Sequence, residues 1–330
     1  MKCRLIILFV FALLGVVGCG NSSSDEGSGS WEDAPVVPEL TGATKDQFLA
    51  DVAAADAAGQ NPAVFAKVGD SNTELADNLY GFACRPVEWG AQGEFAPVVD
   101  KYNTVQYPPT LATEPGCTPT TSFSRFSSAT RSGSYSVFPV TRIKDYSLVF
   151  GRPDPACSGE EIPVDCEIRL LKPRYTIVMT GTNDLGLDIN FTGEVPGTKI
   201  AERLALVVTR IRQAGSVPIL SNLPPSYVTA TPNIDEYGGI KTSNEQIQEL
   251  ADSLKVPMIN LWGAMEEDQM IDRGLGPDGV HLSVYGGNTS PEILQNSVNL
   301  SDEALRYGAN RRNLIWLQTL AALDQVADSP

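Results

Sequence analysis

The stretch that decides the fold is VFAKVGDS, residues 64–71. Residues 64–68 form a short apolar run that predicts a buried strand. Gly69, Asp70 and Ser71 follow at the carboxyl end of that strand, where open α/β sheets bind their ligands. The segment therefore predicts a strand that delivers a serine hydroxyl to the ligand-binding edge of a sheet.

Alternating strands and helices follow along the chain. Three further apolar runs predict strands at residues 175–180, 217–220 and 256–261. Helix-spaced apolar residues predict helices at 198–213 and 243–254, and a long final helix at 303–326 that is broken near Gly308. An earlier helix is predicted to start at Thr44, since Thr44 and Gln47 have the spacing of a capping box. This alternation predicts an α/β fold, a parallel sheet with helices on both faces, in one domain without internal repeats.

Polar residues follow each predicted strand. GTND, residues 181–184, follows the second strand, NLPP, residues 222–225, follows the third, and a loop with Asp278 and His281 follows the fourth. His281 is the only histidine of the chain. A serine hydrolase needs an imidazole that takes the hydroxyl proton and a carboxylate that orients the imidazole. A lone histidine is more often a packed or surface residue, so this loop alone is weak support for catalysis.

The order of these segments is more specific than any one of them. GDS, GTND and DGVH resemble blocks I, III and V of the SGNH (GDSL) hydrolase family, and NLPP is similar to a segment that many members carry. The resemblance runs from about Asn61 to the C-terminus. It implies a three-layer α/β/α sandwich with a flavodoxin-like parallel sheet. It also implies Ser71 as nucleophile, His281 as general base and then acid, and Asp278 as orienting carboxylate, with an acyl-enzyme that water opens.

The same resemblance implies three donors to the oxyanion of the tetrahedral intermediate: the Ser71 N–H, a block II glycine N–H and the side-chain amide of Asn183. Block II departs from the family pattern. FSSAT, residues 126–130, places Ser128 where the glycine belongs, and Gly133 is the other candidate. An Asn-Asp pair after a strand is also ordinary turn chemistry, which is the alternative role for Asn183.

The N-terminus resembles a bacterial lipoprotein signal. Lys2 and Arg4 precede an apolar run at residues 5–17, and VVGC, residues 16–19, resembles a lipobox. We therefore expect a signal peptide at residues 1–18, then a lipidated Cys19 that begins a flexible linker at 19–43, and a hydrolase domain at 44–330. Such a protein is exported and anchored at the cell envelope, at the outer membrane in a diderm bacterium. The alternative is a plain secretory signal with an incidental cysteine.

Four cysteines remain beyond the signal and the lipobox, and an even number in an exported chain favours disulfides. We expect Cys84 to pair with Cys117 and Cys157 with Cys166, because neighbours close short loops, although four cysteines allow three connectivities. A zinc site is the competing interpretation, but C-x-x-C spacing is absent from the sequence. We expect no metal and no cofactor.

The chain is acidic, with a formal net charge of −16, and removal of Lys2 and Arg4 with the signal leaves 22 basic against 40 acidic residues, or −18. Such a surface repels phosphate backbones, so nucleic-acid binding is disfavoured. The expected partners are a small-molecule or glycan ester and a membrane, through the lipid anchor. The oligomeric state has no signal in the sequence.

Two stretches, 84–126 and 282–301, show no regular pattern, and loops of this length at strand ends often build substrate sites. Trp89, Tyr107 and Tyr285 lie in them and can stack on a sugar ring, although such aromatics more often pack locally. The sequence predicts an exported esterase, with O-acetylated carbohydrate as the first substrate class. The alternatives are a lipase or lysophospholipase of the same fold, and a surface binding module without turnover.

Overall fold

The computed structural model describes residues 30–108, 117–145, 156–188, 197–226 and 238–329. Its sheet has four parallel strands in the order β1-β2-β3-β4. The strands are β1 Asn61–Gly69, β2 Pro173–Met179, β3 Val217–Ser221 and β4 Met258–Ile259. All four predicted strands are present. The last is shorter than predicted because the Asn260 side chain accepts from the Gly263 N–H and caps the next helix.

An outer strand position lies beside the carboxyl end of β1. Gly69 and Thr130 form a parallel bridge. The Gly69 N–H donates to the Ala129 carbonyl at 3.0 Å, and the Arg131 N–H donates to the Gly69 carbonyl at 3.0 Å. Block II therefore occupies the edge position of a flavodoxin-like sheet, in which the second strand pairs outside the first.

Helices cover both faces of the sheet. In chain order they are α1 Gly42–Ala57, α2 Ser71–Glu74, α3 Gly81–Cys84, α4 Ala96–Asn103, α5 Pro163–Leu171, α6 Asp184–Leu187, α7 Ile200–Gln213, α8 Gly238–Leu254, α9 Leu261–Met265, α10 Ile293–Asn296 and α11 Gly308–Ala327. Helices α1, α4 and α11 pack in one core with Ile177 of β2. Helices α5, α7 and α8 pack in the other core with Val178. Successive residues of a strand face opposite sides, so the predicted three-layer α/β/α fold is confirmed.

The helices differ from the predictions in their starting residues and in one additional helix. Helix α1 starts at Gly42, and the predicted capping box is wrong because the Gln47 side chain donates to Asp51 Oδ1 at 2.9 Å. Helix α4 lies within a stretch where no regular element was predicted, and it buries Val98, Val99 and Tyr102.

The predicted break near Gly308 is confirmed, since a short 3₁₀ turn at Ala304–Arg306 precedes α11. A Cβ atom at Gly308 would lie 2.1 Å from the Gly274 carbonyl oxygen. This close approach of two backbones requires glycine there.

The three loop aromatics pack locally. The Tyr107 hydroxyl donates to the Leu171 carbonyl at 2.9 Å, at the end of the sheet away from Ser71. Tyr285 packs edge-on against Tyr307 with ring centroids 5.6 Å apart, and Trp89 packs against the core. These three aromatic side chains therefore pack within the protein, which is the alternative to stacking on a sugar ring.

Residues that precede the predicted domain start at residue 44 also pack against the folded domain. The Trp31 ring lies 5.7 Å from the Trp262 ring in an edge-on arrangement, and Asn260 Nδ2 donates to the Ala34 carbonyl at 2.7 Å. Residues 31–36 thus lie against the end of β4. The predicted signal at 1–18 and Cys19 fall outside the described residues. Within the described part of the chain, each helix is too short or too polar to cross a bilayer.

Both predicted disulfides are confirmed. Cys84 pairs with Cys117, and Cys157 pairs with Cys166. The second bond fastens the segment before α5 to α5 itself, which carries the buried Glu167 described below.

Candidate active site

Ser71 lies on a strand–turn–helix segment at the carboxyl end of β1. It is the first residue of α2, and its side chain is almost closed from solvent, with 8% of the residue exposed. Asp70 caps the helix because its Oδ1 accepts from the Asn72 N–H at 3.1 Å. A Cβ atom at Gly69 would lie 2.2 Å from Thr73 Oγ1. Only glycine therefore allows the turn to fold back tightly enough to present Ser71 at the sheet edge.

Asp278 and His281 lie on a hairpin in which Leu275 bridges Leu282 in antiparallel fashion. His281 Nδ1 is 2.6 Å from Asp278 Oδ2. Asp278 Oδ1 accepts from the Val280 N–H at 3.0 Å and from the His281 N–H at 2.9 Å. The contact between Asp278 and the ring is the one predicted from the sequence, and the same carboxylate also fixes the backbone of the histidine.

The electrostatics of the pair follow from the same contacts. Partial burial by itself would raise the pKa of Asp278. The hydrogen bonds from the His281 ring and from the two backbone N–H groups outweigh burial and hold the pKa below its ordinary value. Asp278 is therefore ionised at neutral pH, as a group that orients an imidazole must be.

Asn72 joins the serine turn to the histidine hairpin. Its Nδ2 donates to the Val280 carbonyl at 3.2 Å, and its Oδ1 accepts from the Leu282 N–H at 3.2 Å. These two backbone groups lie immediately before and after His281. The three residues of the predicted triad are thus held on two segments that contact each other directly.

Block III lies beside this junction at the carboxyl end of β2. Asn183 Nδ2 donates to the Ser134 carbonyl at 3.0 Å. Asp184 accepts from the Ser136 N–H at 2.8 Å and from Arg203 Nη1 at 2.7 Å. Both side chains therefore hold the loop that follows block II. A side-chain amide has two N–H groups, so Asn183 keeps one for a further acceptor.

The two candidate donors of block II differ in their backbone hydrogen bonds. The Ser128 N–H donates to Glu167 Oε2 at 2.9 Å and is therefore occupied. The Gly133 N–H bonds to none of the described residues. Its neighbours make the loop's outward contacts, because the Ser132 N–H donates to Glu74 on α2 and the Ser134 carbonyl accepts from Asn183. Of the two candidates, Gly133, at a φ of 75°, is thus the one whose N–H makes no competing bond within the described residues.

Asp70 connects block I to block III. It is 1% exposed, and its Oδ2 accepts from the Gly181 N–H at 3.3 Å. Burial raises the pKa of Asp70 to about 6, against the opposing effect of hydrogen bonds from the Asn72, Gly181 and Thr182 N–H groups. At neutral pH the ionised carboxylate therefore joins the turns that carry Ser71 and Asn183.

Sequence reasoning missed three residues of this region: Asn72, Glu167 and Arg312. Glu167 is 1% exposed and pairs with Arg125, and Arg312 is 0% exposed although it lies on α11 among buried apolar residues. A charged residue on the apolar face of a helix is a signal that buried charges are paired. The sequence therefore indicates that such a residue has an oppositely charged partner, but it does not identify which residue that partner is.

The pH dependence of stability tests the burial of Asp70. In the unfolded chain Asp70 loses its proton near its ordinary pKa of 3.8, whereas in the folded protein it keeps the proton to about pH 6. The folded state therefore binds more protons in this window, and the unfolding free energy of the wild type falls as pH rises from about 4 to 6. Relative to Asp70→Asn, we expect a fall on the order of 2 kcal/mol. Chemical denaturation at several pH values measures it, and a flat difference would contradict a raised pKa.

A family model matches the later part of the chain. Residues 151–287 match the family model described as GDSL-like Lipase/Acylhydrolase family, a range that contains Asn183, Asp278 and His281 and begins after Ser71. The comparison with curated proteins finds no match.

Similar solved structures include three esterases or lipases. A lipase/acylhydrolase from Enterococcus faecalis is 18% identical, with 59% of this chain and 74% of that chain covered and a TM-score of 0.38. A GDSL-like lipase from Bacteroides thetaiotaomicron is 14% identical, with 83% and 98% covered and a TM-score of 0.42. An acetylxylan esterase from Geobacillus stearothermophilus is 15% identical, with 78% and 93% covered and a TM-score of 0.41. Residues 151–287 therefore match the GDSL-like lipase/acylhydrolase family, and they contain Asn183, Asp278 and His281 in the order of the SGNH (GDSL) resemblance, which indicates a carboxylic ester hydrolase.

Proposed function

We propose that this protein hydrolyses short-chain esters of carbohydrate hydroxyls, O-acetyl esters first among them, through an acyl-enzyme on Ser71. The observation that carries the proposal is the contact between the two catalytic segments. Asp278 holds His281, and Asn72, the neighbour of Ser71, bonds to the backbone on both sides of that histidine.

The chemistry follows from which atoms are already occupied. Asp278 accepts a hydrogen bond from Nδ1 of His281, so Nε2 is the nitrogen that takes the Ser71 proton. The serine oxygen attacks the ester carbonyl, and the negative charge that develops on the carbonyl oxygen is met by the N–H groups of Ser71 and Gly133 and by the Asn183 amide. His281 then protonates the leaving alcohol. In the second half of the reaction it activates a water molecule that opens the acyl-enzyme.

The substrate class rests on the polarity of the loop next to the serine turn. Residues 132–134 are Ser-Gly-Ser, and they contact Glu74 of α2 and Asn183. Small polar groups at this position suit a short acyl chain and a hydroxyl-rich alcohol, because they offer hydrogen-bonding partners and little apolar surface for a long alkyl chain.

The proposed location is the extracytoplasmic face of a bacterial envelope, with a lipid on Cys19 as the membrane anchor. Two disulfides support it, because such bonds form and persist in oxidising compartments. The Ser- and Gly-rich residues 21–30 have the composition of a flexible tether between that anchor and the folded domain.

Replacing the nucleophile tests the reaction. Ser71→Ala should abolish hydrolysis of p-nitrophenyl acetate while circular dichroism and thermal unfolding stay near wild type, because the change removes one hydroxyl.

The wild type should prefer acetate among p-nitrophenyl esters from acetate to palmitate and should release acetate from acetylated xylan. Full activity of a folded Ser71→Ala protein would remove Ser71 from the mechanism, and a preference for palmitate would favour a lipase instead.

The oxyanion donors are tested by two sets of variants. Asn183→Ala should lower kcat by about 10²- to 10³-fold, or about 3 to 4 kcal/mol, with little change in KM, because the oxyanion exists only in the tetrahedral state. Gly133→Pro deletes the N–H and should also lower kcat. Gly133→Asn keeps the N–H and tolerates a positive φ, so it should stay near wild type.

Ser128→Pro is the matched comparison for block II, because it deletes the other candidate N–H; it should lower stability, since that N–H donates to Glu167, but it should lower kcat less than Gly133→Pro. Equal losses in Gly133→Asn and Gly133→Pro would assign the effect to the turn and not to the donor. A stable Asn183→Ala enzyme with wild-type kcat would show that Asn183 only closes its turn.

The anchor is tested on protein purified from bacterial membranes with detergent. Intact-mass spectrometry should find a chain that begins at Cys19 with diacylglycerol and acyl groups attached, and Cys19→Ala should release the protein from the membrane fraction. A mature chain that begins elsewhere without lipid would favour the plain secretory signal.

A further inference from the structure

The strongest unassigned feature of the molecule is the way Asn72 spans the two catalytic segments. Asn72 is 2% exposed, and its side-chain amide pairs with a backbone carbonyl and a backbone N–H as a neighbouring strand would. The partners are the Val280 carbonyl and the Leu282 N–H, each at 3.2 Å. His281 lies between them, so this amide fixes the hairpin at the residues that flank the general base.

The backbone of Asn72 is fixed as well. Its N–H donates to Asp70 Oδ1 at 3.1 Å, and its carbonyl accepts from Arg312 Nη1 at 2.8 Å. Arg312 lies on α11, is fully buried, and has Asp77 Oδ1 3.4 Å from its Nη2. Asn72 is therefore held from the terminal helix on one side and holds the histidine hairpin on the other.

One peptide bond and one hydrogen bond, both made by Asn72, connect the nucleophile to the residues beside the base. Ser71 and Asn72 share a peptide bond, and Asn72 is one hydrogen bond from the residues on either side of His281. Proton transfer from the serine requires its oxygen and the imidazole nitrogen within hydrogen-bond reach, and a displacement of about 1 Å can cost about 10²-fold in rate. Asp278 orients the ring within the hairpin, but the Asn72 amide ties that hairpin to the segment carrying the nucleophile.

We propose that Asn72 is a positioning residue that sets the distance between Ser71 and His281, with Arg312 fixing Asn72 in turn. The inference rests on the proposed function, because it assigns Asn72 a role in the same reaction. It differs from a purely structural role in one respect: loss of the amide should lower the rate of the chemical step by more than the accompanying loss of stability explains.

The experiment compares Asn72→Ala with Asn244→Ala. Asn244 is also fully buried and makes the same kind of bridge, since its Oδ1 accepts from the Leu223 N–H at 2.8 Å and its Nδ2 donates to the Leu223 carbonyl at 2.9 Å. Its partner lies on neither catalytic segment. Both variants lose one bridging amide, so both should lose stability, and only Asn72→Ala should lose catalytic rate.

For Asn72→Ala we expect kcat on p-nitrophenyl acetate to fall by about 10- to 100-fold with KM within about twofold of wild type. The rate at which a fluorophosphonate labels Ser71 should fall by a similar factor, since labelling needs the same general base. Asn244→Ala should keep both rates within about twofold of wild type at a temperature where each protein is folded.

His281 provides a spectroscopic readout because the chain has no other histidine. Its ring protons give one set of low-field signals, and the Nδ1 proton should become broader or exchange faster in Asn72→Ala than in Asn244→Ala. If Asn72→Ala does not fold, Asn72→Asp keeps the acceptor for the Leu282 N–H and replaces the donor to Val280, and the same rates are measured on it.

Wild-type rates in a folded Asn72→Ala or Asn72→Asp protein would overturn the positioning role, as would an equal loss of kcat in Asn244→Ala. Ser71→Ala, measured in parallel, separates this failure from that of the proposed function. If Ser71→Ala is inactive while Asn72→Ala is fully active, only the positioning role fails. If Ser71→Ala is active, the proposed function fails first.

Discussion

The buried carboxylate of Asp70 is the interaction on which the site depends. Its oxygens accept from the Asn72 N–H on the serine turn and from the Gly181 N–H on the turn after β2. An ionised carboxylate out of water is costly unless N–H groups surround it, and here the donors are the backbones of the two turns that carry Ser71 and Asn183. The charge therefore specifies the spacing of these turns, because moving either one apart would leave a buried carboxylate under-bonded.

The same design recurs in three buried acid–arginine pairs, each of which also bonds to the backbone of a site segment. Asp184 pairs with Arg203 and accepts a hydrogen bond from the Ser136 N–H. Glu167 pairs with Arg125 and accepts from the Ser128 N–H. Arg312 pairs with Asp77 and donates to the Asn72 carbonyl. Buried ion pairs contribute little net stability, since desolvation offsets their attraction, but they permit few geometries. We interpret these three pairs as supports that fix where the loops of the site lie.

The order of helices and strands could be predicted from the sequence because each element buries one face, and the spacing of its apolar residues shows whether that face belongs to a helix or a strand. The predictions of secondary structure fail where a single tertiary or side-chain contact determines the local structure. Gln47 bonds to Asp51 instead of completing a capping box, and α4 forms in a stretch where its few apolar residues gave no recognised period.

Lys67 lies in the middle of β1 at 2% exposure, where Nζ donates to the Phe123 carbonyl at 2.8 Å. A buried lysine of this kind is tolerated only because a distant loop supplies its acceptor.

The sequence by itself determined the α/β class, the order of the strands along the chain, the resemblance to SGNH (GDSL) hydrolases and the candidate residues Ser71, Asn183, Asp278 and His281. These follow from local patterns: apolar runs, and short motifs at the ends of those runs. Only the tertiary structure decided that the Ser128 N–H donates to Glu167 whereas the Gly133 N–H bonds to none of the described residues, and that Asn72 bonds to both sides of His281. A hydrogen bond needs two groups within about 3 Å in the right direction, and for residues far apart in the chain that distance is set by how the sheet and its helices pack.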